Sequence, residues 1–299
     1  MSCKQKPIIA AGLGELLFDV VHGQYHLGGA PGNFAWHCAE LGAKASVVGA
    51  IGRDRLGDEA CKLLGSLASV VVRSNYPTGT VNAKIGKDGS ASYTFDDECA
   101  FDHLQLNDDL LALAERCDLL CFGTLAQRLP ESRQSIHTFL SKACRALKIF
   151  DVNLRGNFFT KDVIEQSLMI ADLLKVSRDE LKLIAELLNL RQEPDAFFKD
   201  LRARFPLRGL AVTSGEQGSL VFWQEECSAM PAPDVTVQDT IGAGDSFDAA
   251  LGMGLVCDLG LVRSHFLATQ VSAYVCSVCG AMPKLPNDLK QYIRRELEH

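Results

Sequence analysis

What the 299-residue sequence lacks narrows its function first. It has no run of basic residues, and 30 Lys and Arg against 37 Asp and Glu give a formal net charge of −7. Holding a nucleic-acid backbone needs a basic surface, so nucleic acid is not an expected partner. No stretch of about 18 uncharged apolar residues occurs, so no membrane span is expected. The apolar start "PIIAAGLGELLFDVV" is interrupted by Glu15 and Asp19 and reads as a first core strand with its exit, not a secretory leader. Internal repeats, low-complexity tracts and linkers are missing as well. So are the common catalytic signatures. Without G-x-x-x-x-G-K-[ST] there is no P-loop. "GLGELL" lacks the third glycine of a dinucleotide fingerprint, which argues against a nicotinamide oxidoreductase, and no G-x-S-x-G elbow occurs.

Cysteine, by contrast, is plentiful. The 11 cysteines are an odd number scattered through apolar segments (Cys38, Cys61, Cys121, Cys257), as expected of reduced, buried thiols in a cytoplasmic protein. Cys276 and Cys279 have C-x-x-C spacing. With no second pair and no His cluster nearby, they read as core-facing helix residues, not a zinc or redox site.

The composition, 47% hydrophobic and 22% charged, is that of a globular protein able to bury a sizeable core. Residues 7–14 read as a strand and Pro31–Leu41 as a helix, with Phe34, Cys38 and Leu41 on one face and Gly42 as its stop. A buried strand is expected at 45–52 and a helix from about Asp58 to Leu67. "TVNAKIG" and "SASYTFD", joined at Lys87-Asp88-Gly89, carry a hairpin signal. Apolar strands at 118–123, 147–153, 171–177 and 208–214 then alternate with helical segments, the pattern of a parallel sheet covered on both faces. The expected architecture is one α/β domain over 1–299 with a small β appendage.

In such sheets ligands bind at the carboxyl ends of the strands. Asp19, "GTL" (123–125), "DVNLR" (151–155), "KVSRDE" (175–180) and "TSGEQG" (213–218) fall there. The most informative stretch is "QDTIGAGDSFDAALGMGL" (238–255). Phe247, Ala250, Leu251, Gly254 and Leu255 recur at helical spacing, so Gly242–Gly244 is a tight turn and Asp245 sits where a helix begins. Helix-start amides suit an anion such as phosphate. Asp245 is then either a helix cap or a chemical group, and the stretch alone leaves both open.

Two long blocks carry a resemblance. "GGAPGNFAWHCAELGAKASVVGAIGRDRLGDEA" (28–60) resembles the N-terminal motif of the PfkB, or ribokinase-like, sugar kinases, and "DTIGAGDSFDAALGMGL" (239–255) resembles their C-terminal motif. The likeness covers essentially the whole chain and looks closest to fructokinases through "DVNLR" and "CSVCGAMPKLP" (276–286). It implies a ribokinase-like three-layer sandwich with a mostly parallel central sheet and a β lid of about 15–28 and 78–103, including Tyr93, Phe95 and Phe101. It implies an ATP-dependent kinase with Asp245 as base and Gly242, Ala243, Gly244 and Asp245 as an anion hole. Asp19, Gly29 and Asn33 would hold sugar hydroxyls, with Asn153 and Arg155 beside them. From the residues alone, Asn33 reads more readily as a first-turn cap and Asp19 as a turn residue. Thr213, Gly215 and Gly218 would lie along ATP, and Ala273, Cys276 and Gly280 would line the adenine pocket. Their alternative is helix packing by small residues.

Glu180 would help organise Mg²⁺, Ser177 standing where the family usually has Asn; S-x-x-E is also a capping box. Asp239 and Thr240 match a loop that often takes a monovalent cation such as K⁺. A homodimer through the lid is implied. The expected acceptor is D-fructose at its primary hydroxyl, with ribose, 2-keto-3-deoxygluconate or a nucleoside as alternatives. A non-catalytic sensor on the same fold would be expected to lose the acid, and Asp245 is present.

Overall fold

Described here from a computed structural model, the structure covers residues 6–85 and 91–297, without the side chains of 83–85 and 91–93. The turn expected at Lys87-Asp88-Gly89 and the Tyr93 side chain lie outside the described residues. The chain opens with β1 (Ile9–Leu13), β2 (Leu17–Val21), β3 (Gln24–Gly28), α1 (Ala30–Glu40), β4 (Lys44–Val48), β5 (Ala50–Gly52) and α2 (Arg55–Leu64). There follow β6 (Val72–Ser74), β7 (Gly79–Ile85), β8 (Ala91–Phe95), α3 (Asp108–Arg116), β9 (Leu119–Phe122), α4 (Pro130–Lys142) and β10 (Leu147–Asp151). Next come α5 (Lys161–Leu168), β11 (Leu173–Ser177), α6 (Arg178–Leu188), α7 (Pro194–Arg202) and β12 (Gly209–Thr213). The last elements are β13 (Ser219–Trp223), β14 (Glu226–Met230), α8 (Ala243–Val256), α9 (Leu261–Cys276) and α10 (Asn287–Leu297).

Eight strands form one sheet in the order β14-β13-β12-β11-β10-β9-β1-β4, parallel from β12 to β4 and antiparallel at β13 and β14. Alternating side chains of these strands enter two cores. Leu13, Leu120, Phe122, Phe150, Leu174 and Leu210 pack under α3–α7, whereas Ala10, Leu119, Cys121, Ile149 and Leu173 meet α1, α8, α9 and α10. Burial on both faces is why the strands read as continuous apolar runs.

Four more strands make a separate sheet, β3-β2-β7-β8. It is anchored to the body by Arg128, whose guanidinium donates to both oxygens of buried Asp102 (2.7 and 2.6 Å) and to the Asp96 carbonyl (2.8 Å) just past β8. Phe95 of β8 also meets Phe158 edge-on, with ring centroids 5.1 Å apart.

Three sequence expectations are corrected. The strand at 45–52 is two strands in different sheets, because the chain leaves the central sheet at Gly49 to pair β5 with β6. The helix expected from Asp58 begins at Arg55, since Asp54 caps it by accepting from the Gly57 amide at 2.7 Å, and it gives way to a 3₁₀ turn after Leu64. Cys279 does not face a core; it is exposed beyond the end of α9, and Cys144 and Cys227 are exposed as well. Among the described residues no helix is long and apolar enough to cross a membrane.

Candidate active site

α8 is capped by the backbone of Gly242, which adopts φ 77°. A side chain there would need a strained left-handed backbone, and its Cβ would lie 2.6 Å from the Ala281 carbonyl oxygen. Ala243, Gly244 and Asp245 form the first turn. The amides of Gly244 and Asp245 have no acceptor among the described residues, so they face the space before the helix. Asp245 is therefore not at the capping position, and its side chain makes no cap. Its Oδ2 instead accepts a 2.8 Å hydrogen bond from Asn33 Nδ2. Asn33 in turn does not cap α1; its Oδ1 is buried without a partner.

The surroundings of Asp245 are heavily charged. Burial, reinforced by the Asp151 charge, pushes its carboxyl up to about 6, with Asn33, Lys175 and Arg155 pulling the other way. Arg155 is exposed and makes no ion pair among the described residues, yet its charge acts on Glu15, Asp19, Asp151 and Asp245 together. Asp19 lies within β2, opposite His26, not in a turn. Its carboxyl also sits above its usual range, raised by burial and held back by Arg155. Gly29 lies between β3 and α1 as the N-cap of the helix, and Asn153 follows β10 with φ 41°.

Four buried groups next to these were given no individual role from the sequence. Glu15 is pushed up to about 7 by burial, and its Oε2 has no partner. Lys175 Nζ bonds Asp151 Oδ1 at 3.0 Å in a pair that is almost fully buried. Burial alone would discharge Lys175, but the neighbouring Asp151 carboxylate holds its proton and raises it instead. The same ammonium lies 2.8 Å from where a Cβ on Gly244 would stand, so a fixed positive charge backs the open amides. Asp248, one turn beyond Asp245, is fully buried. Burial drives it far above the carboxylate range, against the pull of Lys175, and neither of its oxygens has a hydrogen-bond partner.

Glu180 forms the capping box expected of S-x-x-E. Its Oε2 accepts from the Ser177 amide and its Oε1 from the Leu154 amide, both at 2.8 Å, while Ser177 Oγ accepts from the Glu180 amide. Burial opposes its charge, but Lys175 and these amides hold its carboxyl below the usual range. Asp239 is likewise occupied, its oxygens accepting from the Ile241 and Gly280 amides. Among the described residues no group of three or more His, Cys, Asp or Glu is placed to hold a metal.

Behind the glycine turn opens a cavity of about 560 Å³. Thr213, Gly215, Gly218, Ala273 and Cys276 line it, as do Gly244 and Thr240, while Gly280 and Asp239 stand apart from its wall. Cys276, the last residue of α9, is half-buried and faces this cavity.

The cavity reaches the first turn of α8 at Ala243 and Gly244, with the buried Lys175 ammonium beside Gly244 and the ionisable Asp245 next in the same turn. This is the arrangement of a phosphotransferase, whose chemistry is mostly positioning and charge stabilisation. A model of the pfkB family carbohydrate kinases matches residues 6–288. The chain belongs to that family, as an ATP-dependent sugar kinase with the ribokinase-like fold. Fructokinase-1 of Zea mays is 30% identical over 281 residues, covering 87% of this chain and 85% of its own. The sugar kinase PH1459 of Pyrococcus horikoshii is 28% identical over 273 residues, 84% of each chain. Its crystal structure in complex with ATP superposes with a TM-score of 0.80, covering 97% of this chain and 100% of that one. Arabidopsis thaliana ribokinase, solved with ribose and ATP, shares the fold with a TM-score of 0.79 at 21% identity.

Proposed function

We propose that the enzyme transfers the γ-phosphate of ATP to the primary hydroxyl of D-fructose, giving fructose 6-phosphate. The observation that carries the chemistry is the Asn33–Asp245 hydrogen bond at 2.8 Å, which aims an ionisable carboxylate at the mouth of the amide nest. Asp245 takes the proton of the attacking hydroxyl. Gly242, Gly244 and Asp245 receive the transferring phosphoryl charge on their amides, whereas the Ala243 amide is spent on the Thr240 carbonyl, and Lys175 adds its field from behind Gly244.

Asp19, Gly29, Asn33, Asn153 and Arg155 hold the sugar. Carboxylate, amide and guanidinium groups left unpaired by a wrong sugar penalise it. Thr213, Gly215, Gly218, Ala273 and Cys276 receive the nucleotide, with Gly280 at its margin. Glu180 would orient the waters of a Mg²⁺ carried by ATP, whose charge would neutralise the phosphates, since its direct contacts are spent on backbone. Asp239 and Thr240 border the expected K⁺ position. The acceptor is supported by the fructokinase relative from maize and by "DVNLR".

The test is ADP release with Mg²⁺–ATP across a panel of sugars. Fructose giving the highest kcat/KM supports the reading; ribose or 2-keto-3-deoxygluconate winning replaces the acceptor and leaves the mechanism.

The four-stranded sheet serves as a lid of about 15–28 and 78–103 on a single kinase domain, closing over the sugar and excluding water. Its edge strand β3 exposes Tyr25, and through this sheet we expect a homodimer. Light scattering that returned a single 32.5 kDa chain at micromolar protein would remove the dimer. A cytoplasmic location is supported by ten described cysteines, all free.

A further inference from the structure

His265 of α9 has no role in the scheme above, yet it is fully buried beside the nucleotide cavity. Its Nε2 lies 2.7 Å from Ser219 Oγ and its Nδ1 lies 2.9 Å from Ser228 Oγ. The edge of its ring meets Phe247, with centroids 5.9 Å apart, and Thr269 Oγ1 donates to its carbonyl at 2.8 Å. Ser219, Phe247 and Thr269 all face the cavity, so His265 stands directly behind one wall of it.

The protons of this array can be assigned. Burial lowers His265 to about 4, so at neutral pH the ring has one N–H and one bare nitrogen. The Nδ1 contact with Ser228 Oγ, at 2.9 Å, has the length of an N–H···O bond, and the 2.7 Å Nε2 contact with Ser219 Oγ is shorter, as expected of an O–H donor. The N–H therefore belongs on Nδ1, and bare Nε2 accepts the hydroxyl proton of Ser219. That proton is then committed inward, and Ser219 offers the cavity only lone pairs.

We propose that His265 fixes Ser219 as an obligate hydrogen-bond acceptor in the nucleotide cavity, where it selects a donor group of the nucleoside. The donor is the exocyclic amine of adenine or a ribose hydroxyl. His265 is a positioning residue and Ser219 the contact. The inference rests on assigning the cavity to the nucleotide.

The test compares ATP, ITP, 2′-deoxy-ATP and 3′-deoxy-ATP as phosphate donors with one sugar. ITP replaces the amine by a carbonyl, and each deoxy analogue removes one hydroxyl. In the wild type, kcat/KM falls roughly ten- to a hundredfold for the analogue lacking the donor, because a buried acceptor is left unpaired. In Ser219→Ala the same analogue comes within about twofold of ATP, with KM for the sugar unchanged. His265→Phe keeps the packing but frees the hydroxyl to turn, and it relaxes the discrimination in the same way. Should that variant fail to fold, ¹⁵N shifts of the wild-type imidazoles report the tautomer, and a proton on Nε2 of His265 overturns the proposal. Discrimination that survives in Ser219→Ala, or none in the wild type, overturns it too. Ala273→Leu narrows the cavity and should raise KM for ATP. If it does not, the cavity assignment has failed, a result distinct from loss of the Ser219 contact.

Discussion

Asp245→Asn is expected to lower kcat by about 10² or more while leaving ATP binding in place, because only the proton acceptor is removed. Single-turnover ADP formation and nucleotide titration on the two proteins would measure this. Loss of ATP binding in step with turnover would instead mean that the acid organises the nest. In the wild type, kcat/KM should be flat above pH 6 and fall about tenfold per unit below it, since the base works only when ionised and its carboxyl is pushed up to about 6.

The same shift has a stability consequence of opposite sign. A carboxyl raised above its unfolded value of 3.8 favours the folded state fully below that value and loses the contribution as pH rises through about 6. At pH 7 ionised Asp245 therefore costs stability. The cost is on the order of 1–2 kcal/mol after discounting for the part of its surface open to solvent. Asp245→Asn should accordingly melt a few degrees higher than the wild type at pH 7, with little difference near pH 4. An inactive variant that is the more stable protein is what a strained catalytic group predicts.

Lys175→Met should be the more damaging change to the fold. It strands Asp151 in the core without its partner, a loss of about 3–5 kcal/mol. Urea denaturation would show the midpoint fall. Adding Asp151→Leu removes the stranded acid and should restore most of the stability, since apolar replacements of buried pairs are often neutral. Turnover should not return, because the ammonium beside Gly244 is still missing. A double variant that regained both would confine Lys175 to a structural role.

The parallel core and the glycine turn were legible in the sequence for a physical reason. Strands buried on both faces are written as unbroken apolar runs, and a helix starting at Gly-Ala-Gly-Asp announces its first turn. The antiparallel edge was not legible. β13 and β14 turn at Gln224, which takes φ 55° without a glycine to mark it. The break at Gly49 escaped notice because apolar character continues across it while the pairing partner changes.

In the site, the motifs identified Asp245 and Asn33, but not that one bonds the other. The Lys175–Asp151 pair was hidden for a related reason. "KVS" and "DVN" were both recognised as strand ends, yet only the parallel register of β10 against β11 sets Asp151 opposite Lys175. No local pattern encodes a register between strands joined through a helix. Asp248 and Glu15 looked like ordinary polar positions on a helix and after a strand. Their chemistry follows from burial, which composition does not record.

The bond between Asn33 and Asp245 spans 212 positions of chain, and α1 also grips the far end through Trp36 to the Pro283 carbonyl and His37 to the Ala281 carbonyl. During synthesis at about 5–20 residues per second, α1 leaves the ribosome roughly 10–40 s before α8 exists to cover it. For that interval Phe34 and Cys38 have no partner helix, and Asn33 has no Asp245 to bond. The Asn33–Asp245 pair is thus among the last contacts of the molecule to form, and a nascent chain that stops short of α8 lacks the acid proposed as its base.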